Sequence, residues 1–472
     1  MGPDLYAKIK SVSLTKMTKR NGILVLVVLV AAVSSVDLAH ALKWCVKDAA
    51  EKAVCDAMVG SASFTSQAFS SAVTCEVHND CETSFLAGNV DIWSNVDGGT
   101  LYDVSLQVET TVIAGEAYSF SSAVNYYATA VVRASDCASG SITHLKHLKG
   151  KRSCHTGYGK SAGWKTPITK LVANDLMEVV VSDDADYPND MASAAAFFDS
   201  SCAPMSTDAM AAKNANTLVK NCGNGAGKAG HGCRGDKGTC AGSDMYYGYD
   251  GAFRCLAEGN GDVAFVKHVT VGRNTVGGDN FVNTGDWSWK AESDKQETAW
   301  KLICPGSFKC YNPSEYLQCH LSAVPSHAVI AHLSVADADN TRLRTALTNY
   351  QGTAAGMAAF FNDGANSEGH MFKSGTKSLV MNTLSTKDYL SDASEVYRGM
   401  NLINNAHIGA YNATQQQILI DALNKNDDDD VKIDVLIGVV VGIGVVVLGL
   451  VAAVAFMAFR EKRGKPVFAA LV

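Results

Sequence analysis

Hydrophobic positions gather into one run near each end of the chain and into short segments between them. The first end run spans Gly22–Val36, with Lys16, Lys19 and Arg20 before it and Ala39-His40-Ala41 after it. A basic lead, a short apolar core and an A-x-A exit predict a signal peptide over residues 1–41, cleaved after Ala41. The core is shorter than the roughly 20 residues of a membrane span. Met17 offers a second start. The other end run, residues 435–459, carries no charge and is long enough to cross a bilayer. Arg460, Lys462, Arg463 and Lys465 follow it, which places the tail 460–472 in the cytoplasm. These segments predict a plasma-membrane protein of type I topology, with its ectodomain outside the cell.

Between the end runs, Tyr127–Val132, Val179–Val181 and Val329–Leu333 read as buried strands. Asp48–Met58 and Thr341–Tyr350 read as helices. Alternation of this kind predicts an α/β fold. Asp427–Asp430 sit in a stalk over 427–434, solvated between ectodomain and span. Asn412-Ala413-Thr414 is a glycosylation acceptor. Gly438 and Gly442 form G-x-x-x-G in the span, a candidate homodimer face.

Charge and cysteine content narrow the class. The 472 residues carry a net charge of −7, opposite to the basic bias of nucleic-acid binders. All 14 cysteines lie between Cys45 and Cys319, on the proposed outer side, where an even count reads as disulfides. Gly225, Gly227 and Gly230 match G-x-G-x-x-G, but in a cysteine-bounded loop rather than between strand and helix, so they predict no dinucleotide site. No Ser-His-Asp arrangement and no histidine-rich zinc motif can be argued, so the chain is expected not to be an enzyme.

The segment Ser153-Cys154-His155-Thr156-Gly157-Tyr158-Gly159-Lys160-Ser161-Ala162-Gly163-Trp164 has the makings of an anion pocket. Its glycines let backbone N–H groups approach an anion, and its lysine balances charge. A P-loop would need Gly where Cys154 stands. This stretch resembles the carbonate-binding segment of the transferrin family. Asn95–Gly99, Tyr126–Val132, Tyr249–Cys255, Gly261–Lys267 and Cys319–His327 resemble the same family in compatible order.

The resemblance implies one lobe of two α/β domains with a cleft between them, over residues 42–426. Subdomain 1 would take about 42–125 and 326–420, and subdomain 2 about 126–325. It implies four ligands to one Fe(III): Asp97, Tyr126, Tyr249 and His327. Oxygen-rich, thiolate-free ligation suits such a hard cation. It implies a carbonate held by Thr156, Lys160 and the N–H groups of Ala162 and Gly163. Lys160 stands where the family usually has arginine, and so loses the bidentate fork. Lys267, with Lys373 as partner, resembles a two-lysine release trigger. The disulfides implied are Cys45–Cys81, Cys55–Cys75, Cys154–Cys255 and Cys304–Cys319. Cys202, Cys222, Cys233 and Cys240 would pair among themselves. Cys137 and Cys310 match nothing in the family and are candidates for each other. The function expected is iron acquisition at the cell surface, with a ferric reductase or an iron transporter as onward partner. The alternatives are an adhesion or signalling ectodomain that kept the fold, and a hydrolase.

Overall fold

The computed structural model describes residues 41–118, 124–182, 184, 187–204, 245–278, 292–361, 371–373, 376–406 and 413–424. The signal segment up to residue 40, the Gly-rich loop, Asn412, the stalk, the span with Gly438 and Gly442, and the tail lie outside these residues. Among the described residues no helix is long and apolar enough to cross a membrane.

Two six-stranded mixed sheets organise the chain. The first contains β1 (Leu42–Val46), β2 (Val73–Val77), β3 (Ile92–Val96), β4 (Thr110–Ala117), β11 (Ala328–His332) and β12 (Ser378–Met381), in the order β12-β4-β11-β3-β1-β2. The second contains β5 (Asn125–Arg133), β6 (Arg152–His155), β7 (Ser200–Cys202), β8 (Val263–Lys267), β9 (Trp300–Ile303) and β10 (Ser322–Pro325), in the order β10-β5-β8-β6-β7, with β9 also on β5. Parallel pairs such as β1–β2 and β6–β8 need crossover helices, which cover the sheet faces. The helices used below are α1 (Ala49–Val59), α2 (Gly98–Ser105), α3 (Thr166–Ala173), α4 (Asn189–Phe197), α5 (Gly248–Ala257), α6 (Asp337–Gln351), α7 (Ala393–Asn404) and α8 (Ala413–Leu423).

The chain leaves the first sheet after β4 and returns to it after β10. Only Ser326 and His327 separate β10 from β11. The two passages lie side by side: Ser326 N–H donates to the Val124 carbonyl at 2.8 Å, and Glu116 N–H donates to the His327 carbonyl at 2.8 Å. His327 is thereby fixed where the sheets meet.

Local chemistry explains most boundaries. Asp48 caps α1, its Oδ1 accepting from Ala50 and Glu51 N–H at 2.8 Å each, so the helix begins one residue after the predicted start. The predicted helix Thr341–Tyr350 extends to Asp337–Gln351, with Asp337 and Asp339 in its first turn where the dipole favours them. Val179–Val181 is not a strand. Its backbone is satisfied by side chains instead: Val179 N–H donates to Gln416 Oε1 at 3.2 Å, and Val180 N–H to Ser193 Oγ at 2.8 Å. The β-branched run mimics a strand locally, but no neighbouring strand offers it a ladder.

Five disulfides close among the described residues: Cys45–Cys81, Cys55–Cys75, Cys137–Cys310, Cys154–Cys255 and Cys304–Cys319. Cys137–Cys310 joins residues 173 apart, tying the segment after β5 to the one after β9. Cys202 is also disulfide-bonded.

Candidate metal centre

Each of the four expected ligands is delivered by a different feature of the fold. Asp97 follows β3 and caps α2. Its Oδ1 accepts from Gly99 N–H at 2.9 Å and from Thr100 N–H at 3.3 Å, and its Oδ2 accepts from Thr100 Oγ1 at 3.0 Å. The capping role and an outward-facing oxygen are compatible, because a carboxylate has about four acceptor sites. The helix must start on glycine. A Cβ on Gly98 would stand 2.7 Å from Pro325 Cγ and 2.8 Å from the Tyr397 hydroxyl, and one on Gly99 would stand 3.0 Å from Lys165 Nζ.

Tyr126 lies on β5, opposite Val324 of β10. Tyr249 opens α5 directly after Gly248, whose φ of 78° suits glycine. The two rings meet edge to face with centroids 6.4 Å apart. Burial pushes both phenols up, Tyr249 to about 12 and Tyr126 well above its ordinary value. At neutral pH both are therefore protonated unless a strong Lewis acid displaces the protons.

His327 is gripped by Tyr118, a residue absent from the sequence motifs. Its backbone N–H donates to the Tyr118 oxygen at 3.0 Å, and its Nδ1 lies 2.6 Å from the same oxygen. A tautomer protonated at Nδ1 donates to Tyr118 and leaves the Nε2 lone pair for a metal, the usual support of a ligating histidine. Lys373 Nζ stands 3.5 Å from that Nε2. Burial pushes the Asp97 carboxyl up, but the charge of His327, the Thr100 bonds and the charge of Lys165 outweigh it, leaving the carboxyl below the usual range.

The four expected ligands, Asp97, Tyr126, Tyr249 and His327, are all half-buried residues. Among the described residues no three His, Cys, Asp or Glu side chains gather to hold a metal. The constellation has one carboxylate, one imidazole and two phenols, which is a donor set for a hard, highly charged ion.

The anion loop follows β6. Gly157 (φ 144°) and Gly159 (φ 72°) turn the chain, and a π-turn over Ser161–Lys165 leads into α3. Trp164 N–H and Lys165 N–H both bond the Lys160 carbonyl, at 2.8 and 2.9 Å. The N–H groups of Ala162 and Gly163 lie ahead of these bonds, as orphan donors of a helix start. Thr156 Oγ1 is buried and has no hydrogen-bond partner among the described residues. A Cβ on Gly163 would come 1.9 Å from it. A buried hydroxyl without a partner is costly, and a bound oxyanion would satisfy it. The Thr156 carbonyl accepts from Gly248 N–H at 2.9 Å, which ties this loop to Tyr249. Burial pushes the Lys160 ammonium down while the charge of Asp97 opposes that shift.

Lys267 ends β8, and its Nζ stands 4.6 Å above the Tyr118 ring centroid and 4.8 Å above that of Tyr126. Burial, helped by the charges of Arg273 and Lys373, pushes it down to about 8. Lys165 adds a cation near Asp97 that the sequence motifs did not reveal. The signal was available: a second lysine five residues after Lys160, in the turn expected to face an anion. A separate polar groove of about 350 Å³ lies beyond α3, lined in part by Lys170, His320 and Glu395, and takes no part in the centre.

Two mixed sheets covered by helices, with His327 fixed where the chain passes between them, make a two-sheet α/β lobe. A sequence profile of the family described as Transferrin matches residues 42–401, and the chain belongs to that family. It is 32% identical over 341 residues to a serotransferrin of Paralichthys olivaceus, covering 72% of this chain and 41% of that one. It is 33% identical over 350 residues to a serotransferrin of Oryzias latipes, covering 72% of this chain and 44% of the relative. It is 32% identical over 296 residues to human melanotransferrin, covering 60% of this chain and 35% of the relative. The chain thus spans less than half the length of these curated relatives.

Proposed function

We propose that this protein binds one Fe(III) together with one carbonate in its cleft, outside the cell, for iron acquisition or transport at the cell surface. Asp97, Tyr126, Tyr249 and His327 hold the ion. Thr156, Lys160 and the N–H groups of Ala162 and Gly163 hold the anion, which fills the remaining positions on the metal. The observation that carries this reading is the unpartnered, buried Thr156 hydroxyl in a loop bonded to the Tyr249 turn. Anchoring through residues 435–459, pairing through Gly438 and Gly442, and hand-off to a ferric reductase or an iron transporter belong to the same proposal. The test is addition of Fe(III) to the purified chain with and without bicarbonate. A visible tyrosinate-to-iron band that requires bicarbonate is expected, and its absence sinks the reading.

Two substitutions probe the anion and the release step. Lys160→Arg restores a planar fork to the pocket. It is expected to lower the bicarbonate concentration needed for half-formation of the band and to move iron release to lower pH. If a bicarbonate titration and an acid-release curve both match the unsubstituted chain, Lys160 does not tune the anion.

The trigger is proposed to lie between Lys267 and Lys373. Lys267 is depressed to about 8, so the penalty for its charge is absent above the ordinary lysine pKa, grows as pH falls, and is complete below about 8. Below about pH 8 Lys267 therefore carries its charge beside Tyr126 and in the field of Lys373. Lys373→Ala removes one charge of the pair, and iron release is expected to need a lower pH. An unchanged acid midpoint removes the lysines from the release mechanism.

A further inference from the structure

Asp190 is a carboxylate only 2% exposed, on the first turn of α4, outside the expected site. Its Oδ2 accepts from Trp164 Nε1 at 2.7 Å, and its Oδ1 accepts from Met191 N–H at 2.9 Å. Burial and the neighbouring Asp190 carboxylate push the Tyr158 hydroxyl up, so its proton is retained beside the acid. Tyr158 and Trp164 flank the five residues Gly159–Gly163, which contain Lys160 and both backbone donors of the anion pocket. Their rings pack edge to face with centroids 5.3 Å apart. Backbone 158–164 and the two side chains thus close a ring on one buried acid. From the other side, His155 Nδ1 meets the Gly163 carbonyl at 2.8 Å and its Nε2 meets Ser153 Oγ at 2.9 Å. His155 is fully buried and therefore neutral, pushed down to about 4. Since Gly163 offers only a carbonyl acceptor, Nδ1 carries the proton and Ser153 donates to Nε2.

We propose that Asp190, with Trp164 as its donor and the Tyr158 hydroxyl beside it, is a positioning clamp for the anion loop and sets how tightly the pocket holds its oxyanion. The clamp rests on the functional reading above for the identity of its anion, not for its geometry. Fixed donors bind charge better than mobile ones because their ordering cost is already met by the fold. Hydrogen bonds to a charged acceptor are the strong kind, and a buried carboxylate that loses a donor is left underbonded. Asp190 is itself fixed from α7, its N–H donating to Asn404 Oδ1 at 3.0 Å.

The test uses the full chain in detergent and the variants Tyr158→Phe and Asp190→Asn. Tyr158→Phe removes one hydroxyl and no packing volume of note, so it keeps the question answerable if Asp190→Asn misfolds. In Tyr158→Phe, half-saturating bicarbonate should rise about tenfold, from the loss of one polar neighbour of the buried carboxylate. The band wavelength at saturating bicarbonate should not move, because no metal ligand has changed. In the metal-free chain, hydrogen exchange should quicken in the peptide covering 156–165 and nowhere else. Unchanged bicarbonate affinity with unchanged exchange overturns the clamp. So does faster exchange across the whole second sheet, which would make Asp190 a general fold residue. A missing band in the unsubstituted chain is a failure of the functional reading, seen without any variant, and the clamp is then judged on exchange alone.

Discussion

Tyr126→Phe and Tyr249→Phe should each abolish the bicarbonate-dependent iron band or weaken iron binding by more than about 100-fold. Loss of a group that merely supports a metal ligand typically costs 10–100-fold, so loss of a ligand sets a higher floor. The structure gives the reason that both phenols matter. They pack edge to face and burial raises both, so neither ionises alone near neutral pH. An ion that binds them must expel both protons, which only a strongly Lewis-acidic cation does. Replacing either tyrosine removes one of the two anionic phenolates proposed to hold the ion. The fold should tolerate the change, since each ring is retained. Equilibrium titration against a competing chelator, with denaturant melts of the metal-free variants as control, measures the effect. A variant that keeps wild-type affinity removes that tyrosine from the ligand set.

The proposed centre was legible in the sequence because its motifs are contiguous. NVDGG, the anion loop and the Tyr249 turn each set a candidate side chain beside the glycines that shape its backbone, so candidate chemistry and conformation are read together. The strand Asn125–Arg133 is legible for a similar reason: its apolar run is long and lies centrally in its sheet, between β8 and β10. Val179–Val181 misled because β propensity says nothing about whether a partner strand is near. Tyr118, Lys165 and Asp190 went unread because their roles come from tertiary neighbours. Tyr118 meets His327 across 209 positions, and Asp190 meets Trp164 across 26. Cys137–Cys310 is a different case: its partners are 173 residues apart and no local pattern joins them, but neither matched the family, which left them as candidates for each other, and the structure joins them.

The other large effect is expected from a single methyl group. In Gly163→Ala the new Cβ would lie 1.9 Å from Thr156 Oγ1, 2.7 Å from its Cβ and 2.8 Å from its Cγ2. All three atoms belong to a side chain that is 3% exposed, so no rotation of Thr156 clears the contact. Either the first turn of the π-helix moves away or β6 and its loop shift, and both displace the donors that face the anion. Overpacking of this sort costs about 1–3 kcal/mol of stability. The effect on the anion should be larger, because the hydroxyl and the Gly163 N–H are lost from the pocket together. Thr156→Ala is the matched control: it deletes the hydroxyl without a clash, and it relieves a buried group that has no partner among the described residues. It should leave the metal-free protein at least as stable while raising half-saturating bicarbonate about tenfold. Gly163→Ala should raise it further and destabilise the metal-free protein as well. Paired bicarbonate titrations and denaturant melts separate the two. If Gly163→Ala binds bicarbonate as the unsubstituted chain does, the pocket between Thr156 and the helix start is not where the anion sits.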